Sequence, residues 1–259
     1  MHPLLNIALK AARRAGDIIM RGLDRLDTVT ITQKQPNDFV TDVDQRAEQT
    51  IINIIRQSYP NHGILAEESG SEAGDDYLWI IDPLDGTRNF IHGLPHFCVS
   101  IAVKCKDRIE IGLVYDPVRQ EVFTAARGEG AKLNDRRIRV AERTELNGAF
   151  LSTGLPARTQ SNSDKQLTIL KSLNEESVDL RRLGAAALDL AYVAAGRFDG
   201  YWEFGLYPWD IAAGILLVKE AGGLVTDIKG QENYFDNGSI VAANAKLIKK
   251  MLRVFMPIQ

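Results

Sequence analysis

Cysteine, histidine and long apolar runs are all scarce in this chain, and each shortage narrows what it can do. Of its 259 residues only Cys98 and Cys105 are cysteines. Both sit in an apolar, strand-like run, so reduced core thiols are expected rather than a disulfide. Two of the four histidines, His92 and His96, stand at helical i, i+4 spacing. Gly93 and Pro95 between them argue against a helix, which makes them loop residues rather than metal ligands. The formal net charge of −3 lacks the basic excess common in nucleic-acid-binding proteins. No apolar run approaches a membrane span. Lys10, Arg13, Arg14 and Asp17 break up the early apolar residues, so no secretory segment is expected. There is no internal repeat and no low-complexity stretch. The expectation is a soluble, cytoplasmic protein.

What is present is an ordinary globular composition, 45% hydrophobic and 25% charged, in a chain long enough to bury a substantial core. Leu4, Leu5, Ala8, Ala11, Ala12, Ala15, Ile18, Ile19, Leu23 and Leu26 form a helical stripe. A strand is expected over 28–33, a loop over 34–38, and a helix over 42–58 with Thr41 as its N-cap. A short buried strand at 64–66 leads into Glu67, and 71–76 is expected to be a solvated loop. Strands over 97–104 and 108–115 are joined by a tight turn at Lys106-Asp107, and another strand follows at 120–126. The glycines near 128–130 read as a hairpin turn, since no helix start follows them. The second half alternates: strand 149–153, helix 164–173, strand 177–182, helix 185–195, strand 201–204, helix 209–221, strand 224–227. That alternation is the α/β signature. A last helix at 245–255 carries a solvated basic face. The whole is one domain over 1–259, with any subdomain seam in the polar segment 141–148.

The chain is organised around Trp-Ile-Ile-Asp-Pro-Leu-Asp-Gly-Thr-Arg-Asn-Phe at 79–90. An apolar run points into Asp82, and Pro83, which has no N–H, is expected to stop the strand there. Asp82 and Asp85 then converge on one small volume. Bare, they repel each other and one pKa must rise. A hard divalent cation removes the conflict, and an oxygen-rich set of few carboxylates suits magnesium. Gly86 lets the backbone come close to a phosphate, and the Thr87 hydroxyl can orient a water. Glu67 also follows a strand end, where open α/β sheets gather functional groups. Asp42, Asp44 and Asp210 lie in first turns of helices, where the helix dipole alone accounts for a carboxylate. Dipole complementation suffices for Asp42; Asp44 and Asp210 stay open on their own.

Four signals fall in a fixed order: Lys34 with Thr41-Asp42-Val43-Asp44, then Glu67-Glu68-Ser69, then Asp82 to Thr87, then Trp209-Asp210-Ile211-Ala212-Ala213-Gly214. Together, and with Glu220-Ala221-Gly222-Gly223 beyond them, they resemble the inositol monophosphatase family of metal-dependent, lithium-sensitive phosphatases, its bacterial members above all. The resemblance spans nearly the whole chain. It implies a layered αβαβα sandwich and two to three Mg²⁺ per site. Glu67, Asp82 and the Leu84 carbonyl would hold the first ion, and Asp82, Asp85 and Asp210 the second, with Glu67 contributing to a third. Thr87, with Asp44 behind it, would orient the attacking water, while the N–H groups of Gly86 and Thr87 meet the phosphate. Gly184, Ala185, Ala186 and Glu203 match positions that contact the inositol ring, and Arg181 is a further substrate contact. A homodimer is implied as well. Arg88 departs from the family pattern, which has a threonine or serine-like residue after Thr87.

The chemistry stands without the analogy. Carboxylates alone would repel a phosphate monoester; metal ions reverse that field and activate water, so no cysteine, histidine or serine nucleophile is needed. The expected reaction is in-line attack by water on inositol 1-phosphate or a similar ester, without a phospho-enzyme. Within the superfamily that the resemblance implies, 3′(2′),5′-bisphosphate nucleotidase, fructose-1,6-bisphosphatase and histidinol-phosphatase share the metal motif. Bacterial relatives also act as accessory factors of the transcription machinery in ribosomal RNA synthesis, a reading that rests on resemblance alone.

Overall fold

The computed structural model describes residues 2–35, 38–155, 163–176 and 178–256. Pro36 and Asn37 of the expected loop, and Ser177, fall outside that set. The outermost layer is a pair of helices, Pro3–Leu23 and Asp42–Ser58. Leu5, Ala8, Ala12, Ala15 and Ile19 of the first face Val43, Ala47, Ile51 and Ile55 of the second in one apolar cluster. Alanine at so many contact positions lets the two helices approach closely. Thr41 caps the second helix: its hydroxyl accepts the Val43 N–H at 3.2 Å, while Asp44 accepts the Thr41 N–H at 3.0 Å.

Beneath the helices lies an eight-stranded sheet. Its spatial order is Arg136–Arg137, Gly130–Leu133, Glu121–Ala126, Arg108–Asp116, Cys98–Cys105, Tyr77–Asp85, Gly63–Ala66, Gly70–Glu72. All neighbours are antiparallel except Gly63–Ala66 with Tyr77–Asp85, which run parallel. The two-residue period sorts its side chains. Trp79, Ile81, Val99, Ile101 and Leu113 meet the outer helices, whereas Ile80, Cys98, Ala102, Val114 and Phe123 face inward. Helices Ala186–Ala194 and Pro208–Glu220 fill the middle layer, apolar nearly all round because sheets lie on both sides.

The fourth layer is a five-stranded sheet in the order Asp179–Arg181, Phe150–Thr153, Gly200–Glu203, Ile240–Ala243, Leu224–Thr226. Helices Ser163–Glu175 and Leu247–Phe255 cover its far face, packing Ile169, Leu173, Met251 and Phe255 on Leu151, Trp202 and Val241. Each such fully buried side chain stabilises the fold by roughly 1.5–3 kcal/mol. The expected αβαβα sandwich is therefore the architecture observed. Between Arg137 and Phe150 the chain carries neither helix nor strand, and there it passes from one sheet to the other. Among the described residues no helix is long and apolar enough to cross a membrane.

Several local expectations need correction. The motif strand does not stop at Pro83. It pairs with Cys98–Cys105 up to Asp82, skips Pro83 and Leu84, and pairs again at Asp85 with Cys98. The missing proline N–H is absorbed by that irregularity instead of ending the strand. Residues 71–76 are not all loop, because Gly70–Glu72 adds an edge strand to Gly63–Ala66. The first expected strand is displaced to Ile31–Gln35 and forms a hairpin with Asp38–Thr41. Among the described residues of the second half, only the pairs Phe150–Thr153 with Asp179–Arg181 and with Gly200–Glu203 are parallel. Ile240–Ala243, not anticipated from its sequence, pairs antiparallel with both of its neighbours.

Candidate active site

Strand ends from the eight-stranded sheet and the N-termini of the two central helices meet around one open cavity of about 160 Å³. Glu67, Asp82, Leu84, Asp85, Gly86, Thr87, Gly184, Ala186, Glu203 and Asp210 all line it. Residues distant in sequence are thus brought together by the motif strand and the helices packed on it.

Local bonding explains why each group sits where it does. Asp82 Oδ1 accepts the Leu84 N–H at 3.0 Å, which turns the backbone at the irregularity. Asp85 Oδ2 accepts the Ala187 N–H at 2.7 Å, at the N-terminus of helix Ala186–Ala194, where a carboxylate is favoured. Asp210 Oδ2 accepts the Tyr207 N–H at 2.7 Å, so it caps its helix and faces the cavity at once. Thr87 Oγ1 lies 3.0 Å from both Asp44 Oδ1 and the Leu84 carbonyl. A hydroxyl has one proton, and the charge-assisted bond to Asp44 is the stronger claim on it. Gly86 has φ of 95°, and a Cβ there would come within 3.0 Å of the His96 carbonyl. Only glycine fits that position.

The electrostatics are those of crowded anions. Burial pushes the Asp82 carboxyl far above the usual range, and Glu67, Asp85 and Asp210 push it in the same direction. Asp85 is raised to about 7, chiefly by burial, with the Ala187 N–H opposing. Burial also raises Asp44, against hydrogen bonds from Thr41 and Thr87. Among the described residues no three His, Cys, Asp or Glu side chains are drawn into a closed metal cage. Glu67, Asp82, Asp85 and Asp210 instead line the cavity from separate elements. The donor set is nonetheless all oxygen, from carboxylates and the Leu84 carbonyl, which fits a hard divalent cation.

The comparisons decide the lineage. A model of the inositol monophosphatase family matches residues 1–255. The chain belongs to the inositol monophosphatase family. It is 55% identical to a protein of Pseudomonas aeruginosa described as Nus factor SuhB, over 99% of this chain and 97% of that one. The extragenic suppressor protein suhB of Bartonella henselae superimposes with a TM-score of 0.96 at 42% identity, covering all of both chains. An inositol monophosphatase from Anabaena (Nostoc) sp. PCC 7120 gives 0.85 at 38% identity, covering 99% and 96%.

Against the family's pattern two expected substrate contacts fall elsewhere. Arg181 does not line the cavity; its guanidinium lies 4.7 Å from the Phe150 ring centre and pairs with Asp179 at 2.6 Å. Arg182, the residue just past the end of strand Asp179–Arg181, lines the cavity instead. Ala185 is the residue before helix Ala186–Ala194 and is buried outside the lining. Arg88 lines the cavity and lies 5.8 Å from the Phe39 ring centre. Sequence reading missed Asn89 and Gly154. The Asn89 amide donates to the His96 and Leu183 carbonyls at 2.7 and 2.9 Å, joining the motif helix Thr87–Ile91 to the loop before Gly184. A Cβ on Gly154 would lie 1.9 Å from the Glu203 carboxyl carbon, so the glycine makes room for that carboxylate. Tyr201 donates its phenolic O–H to the same carboxylate. Neither signal was visible without the fold, because both depend on contacts between separate elements.

Proposed function

We propose that this protein is a Mg²⁺-dependent phosphomonoesterase that hydrolyses inositol 1-phosphate and similar small phosphate esters. The observation that carries the reading is the gathering of Glu67, Asp82, Asp85 and Asp210 around one cavity, with Thr87 bonded to Asp44 at its edge. Glu67, Asp82, the Leu84 carbonyl, Asp85 and Asp210 are the groups that would hold two to three ions. When bound, such ions offset the phosphate's charge and lower the pKa of a coordinated water.

The chain's own residues supply the rest. Thr87 Oγ1, donating to Asp44, keeps its lone pairs for a water's hydrogen and so orients the oxygen for in-line attack. Asp44 holds that hydroxyl in place and takes up the proton relayed through it. Gly86 and Thr87 offer backbone N–H groups to the phosphate. Glu203, held by the Tyr201 hydroxyl and given room by Gly154, is set to accept hydrogen bonds from a polyol ring, with Gly184 and Ala186 leaving space for it. The test is phosphate release from inositol 1-phosphate with and without Mg²⁺, wild type beside Asp82→Asn. Activity that needs Mg²⁺ and is lost in the variant supports the reading. A wild type inert toward a panel of sugar and polyol phosphates overturns it.

A second role, as an accessory factor of transcription, is supported by the P. aeruginosa relative described as a Nus factor. Retention of RNA polymerase or its elongation factors by both wild type and Asp82→Asn would show a function separable from hydrolysis; retention by neither removes it. The same reading includes a homodimer and lithium inhibition. Sedimentation giving only monomer mass would refute the first, and unchanged turnover in millimolar lithium the second.

A further inference from the structure

Glu48 is a buried carboxylate, 3% exposed, on the inward face of helix Asp42–Ser58, away from the cavity lining. Its two oxygens are both spent on the backbone just beyond Glu67. Oε2 accepts the Glu68 N–H and Oε1 the Ser69 N–H, each at 2.8 Å. The Glu67 N–H itself donates to the Ile81 carbonyl at 3.2 Å, one residue before Asp82. Three successive N–H groups are thus pinned, the first to the motif strand and the next two to a single side chain.

The same helix holds the opposite side of the site. Asp44 stands four residues before Glu48, one turn away, so the two carboxylates project from one face. Asp44 bonds the Thr87 hydroxyl and Glu48 bonds the loop that carries Glu67. We propose that Glu48 is a positioning residue that fixes Glu67 for metal binding, and that helix Asp42–Ser58 acts as the template setting Glu67 against Thr87. The physical need is plain. Glu67 lines the same cavity as Asp82, Asp85 and Asp210, and like charges so placed repel one another. The loop after a strand end would yield to that force unless its backbone were held. A carboxylate accepting two N–H groups at once provides strong, directional restraint from a rigid element.

The inference rests on the phosphatase reading, and the experiment separates the two. Mg²⁺ affinity is measured by calorimetry and by the Mg²⁺-dependent rise in melting temperature, alongside the Mg²⁺ midpoint and substrate KM of phosphate release. Wild type, Glu48→Ala, Glu48→Gln and Ile52→Ala are compared, the last because it removes a core side chain from the same helix. Removing an outer partner of a metal ligand weakens metal binding about 10- to 100-fold. Glu48→Ala should therefore raise the Mg²⁺ Kd and midpoint by roughly tenfold or more, with KM at saturating Mg²⁺ little changed. Glu48→Gln, which keeps one acceptor oxygen, should fall between. Ile52→Ala should lose stability but keep the wild-type Mg²⁺ Kd. If Glu48→Ala binds Mg²⁺ as wild type does, or if Ile52→Ala weakens it equally, the positioning role is overturned. If wild type itself neither binds Mg²⁺ nor releases phosphate, the phosphatase reading has failed instead.

Discussion

On the proposed reading, Asp82 is a residue spent on function at the expense of the fold. It is almost wholly buried and crowded by three other carboxylates, so its charge destabilises the native state when no cation is present. Asp82→Asn should then be more stable than wild type in chelator, by about 1 kcal/mol, or 2–4 °C in melting temperature for a chain of this size. Added Mg²⁺ should reverse the order, since a ligand that binds only the native state stabilises it. Thermal melts of both proteins with EDTA and with Mg²⁺ check this. Thr87→Ala should lower kcat about 10²- to 10⁴-fold, the range for losing a positioned proton-transfer group, while Mg²⁺ binding by calorimetry stays near wild type. Gly154→Ala should act on substrate choice, because its Cβ would displace Glu203. The measured ratio of inositol 1-phosphate to a simple alkyl phosphate in kcat/KM should fall about tenfold or more, as expected when a polar contact worth about 1.4 kcal/mol is misplaced.

At the scale of elements, the segment that follows the motif helix carries a pH dependence. His96 is buried beside Tyr192, and its Nε2 has no hydrogen-bond partner among the described residues. Burial, helped by the Arg119 guanidinium, holds the imidazole down at about 4 from an ordinary 6.5. The unfolded chain takes up its proton at the higher pH, so stability is full above about 6.5 and falls as the pH drops toward 4. The loss across that window is up to ~3 kcal/mol. Urea midpoints between pH 7 and pH 5 should decline more steeply for wild type than for His96→Gln, and parallel slopes would count against it. The helices were largely legible from their 3.6-residue stripes, since Leu5, Ala8, Ala12 and Ile19 repeat as a buried face must. Short strands such as Gly70–Glu72 and Ile240–Ala243 were not. Their pairing depends on partners far along the chain, and a few residues give no period to read.

On the scale of the molecule, two sheets clamp a central helix pair, and the cavity opens where strand ends and helix N-termini converge. That arrangement makes the site a property of the assembled layers. Asp82 comes from the eight-stranded sheet and Glu67 from the turn after one of its strands, Asp210 from a central helix, and Glu203 from the five-stranded sheet. Loosening the packing between layers should spread the carboxylates before it unfolds the chain. Leu190, in the middle layer, meets Gly214 of the neighbouring helix, so Leu190→Ala removes packing that spaces the two helices bearing Asp210 and the Ala187 N–H. A core truncation of this kind costs about 2–5 kcal/mol, and the Mg²⁺ midpoint of activity should rise with the loss of stability. An unchanged midpoint would show that the site is insulated from the core.

The sequence by itself determined the residue types of the candidate site: carboxylates at strand ends and helix starts, a glycine between Asp85 and Thr87, and a hydroxyl beside them. Those features are local, and local constraints are written in consecutive residues. Tertiary structure alone decided which arginine enters the cavity, which side chains brace Glu203, and that Glu48 holds the loop after Glu67. Arg181 and Arg182 are chemically alike and adjacent; the strand ends at the first, and only the folded chain brings the second to the cavity. Glu48 reads as an ordinary helical carboxylate until residues twenty positions away are folded against it.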